Sequence, residues 1–163
     1  MNLPSPDDVF ERNKEIERRV LALAAADKKR HRNQCVKALH EVPTDELLPI
    51  LRIRLLETRR RAAFKRLGTF LIERATDESV KLLIEFDRVT RRMTLTNLRL
   101  LATSNNNFAS EFMKRQIQSG NRDRKYAALK AIAEARRTEG VLLLCNFRFR
   151  RKQAGNAIPE IDG

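Results

Sequence analysis

The segment Arg60-Arg61-Ala62-Ala63-Phe64-Lys65-Arg66-Leu67-Gly68-Thr69-Phe70 begins with a cation and places apolar side chains 4, 7 and 10 positions later, at Phe64, Leu67 and Phe70. Steps of 4, 3 and 3 residues keep those side chains on one stripe of an α-helix. The same walk runs through Arg32, Val36, Leu39 and Val42, through Arg91, Leu95, Leu98 and Leu101, and through Arg122, Tyr126, Leu129 and Ile132. Its starting residues are 28, 31 and 31 positions apart, and Leu holds the third place in every copy. A fixed period of this length signals a stacked helical repeat, and it assigns Tyr126 to the core.

A second helix follows the first in each copy. Thr44, Thr76, Asn107 and Thr138 are the expected N-caps, with acids close behind at Asp45, Glu46, Asp77, Glu78, Glu111 and Glu139. Apolar residues follow at Leu47, Leu48 and Leu51, at Val80, Leu83 and Ile84, at Phe108, Phe112 and Met113, and at Val141, Leu142 and Leu144. Thr58, Thr90 and Asn121 are expected to cap the returning first helices, which makes the turns between hairpins short and stacks neighbours side by side. Ahead of the repeats, Ser5 as N-cap, Pro6 at the first helical position and Asp7 and Asp8 behind it open one more helix, with the stripe Val9, Ile16, Val20, Leu23. The fold expected is all-α: an α-solenoid of about four helical hairpins with an N-terminal capping helix. The expected layout is one domain over 1–152 (cap 1–27; repeats 28–57, 58–89, 90–120 and 121–149) and a tail over 153–163.

Composition agrees. Of 163 residues, 42% are apolar, which is enough to pack helices, while five Gly and five Pro are too few for a protein built on many tight turns. No apolar run, Val141–Cys145 included, approaches the roughly 20 residues of a membrane span, and the start Met-Asn-Leu-Pro-Ser-Pro-Asp-Asp lacks a basic, apolar leader, so a cytoplasmic location is expected. Cys35 and Cys145 have no metal-ligand spacing and read as small buried residues. The 34 Lys+Arg against 21 Asp+Glu leave +13, yet residues 1–27 carry six acids and four bases, and residues 153–163 two acids and no base. The excess therefore belongs to the folded body.

The Arg-initiated amphipathic helix, the polar Thr-Asp turn and the Leu-rich second helix resemble HEAT-like repeats over roughly residues 28–149. That resemblance implies a right-handed α-solenoid of about four HEAT-like hairpins behind the N-terminal capping helix, whose first helices form the convex layer and second helices the concave one, most often serving as a protein-binding scaffold. DNA alkylation-repeat glycosylases use such a scaffold to hold duplex DNA with an aromatic and acidic active site. This chain has no Trp and a single Tyr, so the glycosylase activity is not carried over.

The cations concentrate at Lys28, Lys29 and Arg30, at Arg59, Arg60 and Arg61, at Arg91 and Arg92, and at Arg122, Arg124 and Lys125. All are expected at helix N-termini, where a positive charge opposes the dipole by about 0.3–1 kcal/mol; orphan N–H groups and guanidinium forks there describe an anion site. Arg32, Arg60, Arg91 and Arg122 have a second reading as braces between neighbouring repeats, and the run 148–152 reads as a solubilising edge. His31 and His40 lack paired carboxylates, no glycine-rich phosphate loop or carboxylate cage is present, and Ser104–Asn107 reads as helix punctuation. No cofactor, small-molecule substrate or enzymatic activity is expected. The expected function is an adaptor that docks an acidic protein surface through the basic edge and concave helices. The alternative is sequence-nonspecific binding of duplex DNA or structured RNA through phosphates, with single strands disfavoured because the aromatics fall on apolar stripes. A third possibility is a subunit of a larger assembly with an apolar end face around Phe147 and Phe149.

Overall fold

A computed structural model describes residues 5–135, all of whose regular elements are helices, eight in number among the described residues. The chain divides into two compact units, Met1–Asn97 and Leu98–Gly163.

In the first unit, α1 (Pro6–Ala25) starts as its sequence dictates: the Ser5 hydroxyl accepts from the Asp8 amide, and the Asp8 carboxylate accepts from the Ser5 amide, each at 3.2 Å. Its buried face is Ile16, Val20 and Leu23, while Val9 stays exposed. This helix does more than cover one open end. It packs against α2 (Lys29–His40), α3 (Thr44–Glu57) and α4 (Arg61–Arg74). Phe64, Leu67 and Phe70 of α4 are fully buried, each worth about 1.5–3 kcal/mol in transfer from water. α5 (Asp77–Thr90) begins at the expected cap, the Thr76 hydroxyl accepting from the Ser79 amide at 3.2 Å, and packs along both α4 and α3.

Other caps differ from expectation. Thr44 is the first residue of α3, behind Pro43, and its hydroxyl accepts from Arg74. Thr58 and Thr90 turn back to carbonyls of the helices they end, Arg54 O and Phe86 O, so neither starts the next helix. Instead Thr94 opens α6 (Leu95–Thr103), its hydroxyl accepting from the Asn97 amide at 3.3 Å and donating to Asn97 Oδ1 at 2.7 Å. The side-chain Nδ2 of the fully buried Asn97 donates to Lys65 O at 3.2 Å, and a Cβ on Gly68 would lie only 3.0 Å from that nitrogen. A methyl there would press on the hydrogen-bonded Asn97 side chain.

Hydrogen bonds between distant parts of this unit recur near one repeat length. Arg52 and Glu85 are 33 residues apart, Arg74 and Val42 32, Arg92 and Thr58 34, and Asn97 and Lys65 32.

In the second unit, α7 (Asn107–Gln118) packs against α8 (Arg122–Glu134). Asn106 is the cap, one residue before the expected Asn107, accepting from the Phe108 and Ala109 amides. Asn121 caps α8 as expected, accepting from the Arg124 amide at 3.0 Å. α8 turns the small Ala128 and Ala131, with Ile132, inward. Tyr126, placed about 200° from Ala128 at about 100° per residue, is consequently outside the core, 67% exposed. The second helix expected in the fourth repeat (Thr138, Val141, Leu142, Leu144), with Cys145, Phe147, Phe149, the basic run 148–152 and the tail 153–163, lies outside the described residues.

Candidate interaction surface

The cations of the first unit sit in three turns. Lys28 and Arg60 are the N-caps of α2 and α4, neither helix has an acid in its first turn, and neither cap side chain bonds an orphan amide. Lys29, Arg30, Arg59 and Arg61 flank them, all exposed. The expectation that every cluster opens a helix fails at Arg91 and Arg92. α5 continues through Thr90, Arg91 closes it in the left-handed region (φ 52°), and α6 begins only at Leu95. The buried Asp87 carboxylate accepts from the Met93 amide at 3.0 Å and holds that turn. At a helix C-terminus a cation is favoured by the dipole, so the electrostatic argument reverses sign here.

Tertiary contacts bring these turns to one end of the unit. The Arg92 guanidinium donates to Thr58 O, which seats Arg91 and Arg92 beside Arg59, Arg60 and Arg61. Arg66 donates to Ala24 O and pairs with Asp27, whose carbonyl accepts from Arg32 at 3.3 Å. The turn carrying Lys28 therefore lies beside α4 at a point five residues, roughly 7–8 Å, beyond Arg61. Arg122, Arg124 and Lys125 belong to the second unit, at the start of α8, with Arg122 exposed and the other two half-buried.

Away from this end of the first unit most arginines are paired, although Lys37, Lys65 and Arg88 make no ion pair among the described residues. Arg12 meets Glu46 at 2.6 Å, Arg19 meets Glu15 at 2.9 Å, Arg52 meets Glu85 at 3.1 Å, and Arg54 pairs with both Glu17 and Glu57. Lys28, Lys29, Arg30, Arg59, Arg60, Arg61 and Arg91 make no ion pair among the described residues. Beside them the aliphatic Ile53 and Leu56 of α3 and Val89 of α5 are exposed. Along α2, Lys29, Arg30, Asn33, Gln34 and Lys37 share one open face of the helix.

The bracing arginines are mostly not those expected. Arg32 does brace a turn, but Arg60, Arg91 and Arg122 remain exposed, and the work falls to Arg66, Arg74 and Arg92. Arg74, at the end of α4, donates to Leu39 O at 3.0 Å, Val42 O at 2.6 Å and Thr44 Oγ1 at 3.0 Å, and its burial pushes the guanidinium below its ordinary value. The signal available in the sequence was position: Arg74 continues the Leu67, Phe70, Leu71 stripe at the end of α4 and Arg66 borders that stripe, where a long side chain reaches a neighbouring turn. Ile53 and Leu56 were similarly visible as apolar residues off the Leu47, Leu51, Leu55 stripe.

The remaining polar candidates pack. His40 lies against Phe70, ring centroids 5.2 Å apart, and His31 Nε2 is 3.8 Å from the buried Cys35 thiol, which burial pushes up. Among the described residues no group of three His, Cys, Asp or Glu side chains is arranged to hold a metal, and no helix is long and apolar enough to cross a membrane. The chain matches no protein-family description, no curated protein and no solved structure.

Proposed function

We propose that this chain is a non-enzymatic, HEAT-like repeat adaptor whose first unit docks an acidic protein partner through its cationic end. The helices α2–α3 and α4–α5 are, on this reading, successive hairpins of a short right-handed solenoid. The recurrent ties across 32–34 residues support that stacking. The observation that carries the functional reading is the clustering of unpaired cations: seven at the three joined turns make no ion pair among the described residues, whereas Arg12, Arg19, Arg52 and Arg54 on the flanks each meet a carboxylate. Cations left without internal partners at one end steer an oppositely charged surface and fix its register. Nothing in this role needs a reacting group.

Binding of nucleic-acid phosphates is the second reading. Lys29, Arg30 and Lys37 share an open face of α2 on which no large apolar side chain is exposed. The two readings separate in one experiment: capture of partners from lysate with and without nuclease, using the wild-type chain and the Arg60→Glu/Arg61→Glu/Arg91→Glu variant. A protein partner retained after nuclease treatment and lost with the variant supports the adaptor. Captured material that disappears on nuclease treatment, together with duplex RNA affinity falling linearly with the logarithm of salt, supports the phosphate reading instead.

A further inference from the structure

Two independent ties set α3 and α5 in register. Each is followed or preceded by a short turn to α4, so both run the same way. Arg52 of α3 bonds Glu85 of α5 at 3.1 Å, and just past their C-terminal ends Arg92 donates to Thr58 O. Leu56 stands four residues after Arg52 and Val89 four residues after Glu85, each one helical turn closer to the cationic end. Their side chains are 59% and 79% exposed, and Ile53, one turn behind Leu56 on α3, is 53% exposed. An aliphatic shoulder thus spans two neighbouring helices immediately below Arg59, Arg60, Arg61 and Arg91.

Resting on the adaptor reading, we infer that this shoulder and the arginines above it take a single kind of segment from the partner, one that combines large aliphatic side chains with Asp or Glu a helical turn away. Charge complementarity selects that occupant. A second copy of the chain would bring the same unpaired arginines against each other. Nucleic acid answers the cations but leaves Leu56 and Val89 without an apolar counterpart, since phosphates bury no aliphatic surface and base stacking uses aromatic platforms. The exposed carboxylates on this face, Glu57 and Glu85, are paired with Arg54 and Arg52, so what faces a ligand is chiefly the charge of the turn arginines. The mode is an apolar anchor surrounded by charge-steered contacts.

The test uses the full chain and two labelled synthetic peptides of identical length and acidic charge, one carrying Leu at helical spacing and the other Ser at those positions. The Leu peptide is expected to bind at least about tenfold tighter than the Ser peptide, and Leu56→Ser/Val89→Ser is expected to erase that difference while leaving the weak, salt-sensitive binding of the Ser peptide. Both substitutions are on exposed positions; Leu56→Ala/Val89→Ala serves as a second pair, and the circular dichroism melt of each variant checks that it folds. Equal affinity for the two peptides, or a Leu preference that survives both variants, overturns the inference while the cationic adaptor stands. Failure of both peptides to bind, with duplex RNA or phosphatidylserine vesicles binding instead, overturns the inference and the adaptor together.

Discussion

Replacing Arg74 by Met tests whether a guanidinium, rather than apolar contact, holds the α2–α3 turn against α4. Met keeps most of the stem and removes bonds to Leu39 O, Val42 O and Thr44 Oγ1 at 3.0, 2.6 and 3.0 Å. A hydrogen bond from a charged donor is worth about 1.5–3 kcal/mol net, but three from one group share a single desolvation penalty and are not additive. That penalty is real here, because burial already disfavours the charged form. A net loss of about 2–3 kcal/mol follows, which lowers a urea midpoint by roughly 1 M at a typical slope of about 2 kcal/mol/M. Hydrogen exchange locates the damage: amides at the end of α2 and in the following turn should exchange faster, while α7 and α8, in the other unit, should not change. A destabilisation below about 0.5 kcal/mol, or an Arg74→Lys variant as stable as wild type, would refute the reasoning, since a lysine cannot span three acceptors in a fixed fork.

Gly68→Ala is expected to destabilise by about 1–2 kcal/mol despite the better helix propensity of Ala, because the new methyl meets Asn97 at 3.0 Å; thermal unfolding followed by ellipticity reads it. Arg91→Gly should stabilise the fold by up to about 1 kcal/mol, since the left-handed backbone at φ 52° strains a side-chain-bearing residue, while weakening the acidic peptide in the binding assay; a less stable variant would show that Arg91 is structural. The Ser5 hydroxyl and amide hold the Asp8 carboxyl below its usual range, so the capping contribution is complete above that range and is lost as pH falls through the lowered value. Ellipticity followed into acid should show a loss at α1 that is smaller in Ser5→Ala, whose cap already lacks the hydroxyl at every pH; identical acid profiles for the two chains would contradict this.

What could be read from the residues was what is decided locally. The Ser5-Pro6 start of α1 with Asp8 behind it, the Phe64, Leu67, Phe70 stripe of α4 and the Thr76 cap each depend on a few consecutive residues and on helical spacing, and each is present. The start of α6 was misjudged because two local hydrogen-bonding sets compete for it. The Asp87 carboxylate prolongs the turn through Met93, and Thr94 with Asn97 makes a better cap than Thr90, whose hydroxyl returns to Phe86 O. Tyr126 follows the repeat's spacing but lies opposite the face that α8 uses, since two alanines allow a closer approach than a tyrosine. The count and clustering of cations were legible in the sequence, and their pairing was not. Whether an arginine meets a carboxylate or a carbonyl, as Arg52 and Arg92 do, depends on residues 33 and 34 positions away.

The bond from Arg92 to Thr58 O has a thermodynamic corollary for recognition. Two turns that would otherwise fluctuate separately are stapled before any ligand arrives, so the entropy of ordering them is lost once, on folding, and not again at each encounter. Immobilising a long side chain on association typically opposes it by about 0.5–1.5 kcal/mol, and a scaffold that arrives with its loops already fixed avoids part of that penalty. Such pre-organisation appears chiefly as a slower off-rate, and Arg92→Ala is therefore expected to shorten the residence time of a bound acidic segment by freeing the two turns.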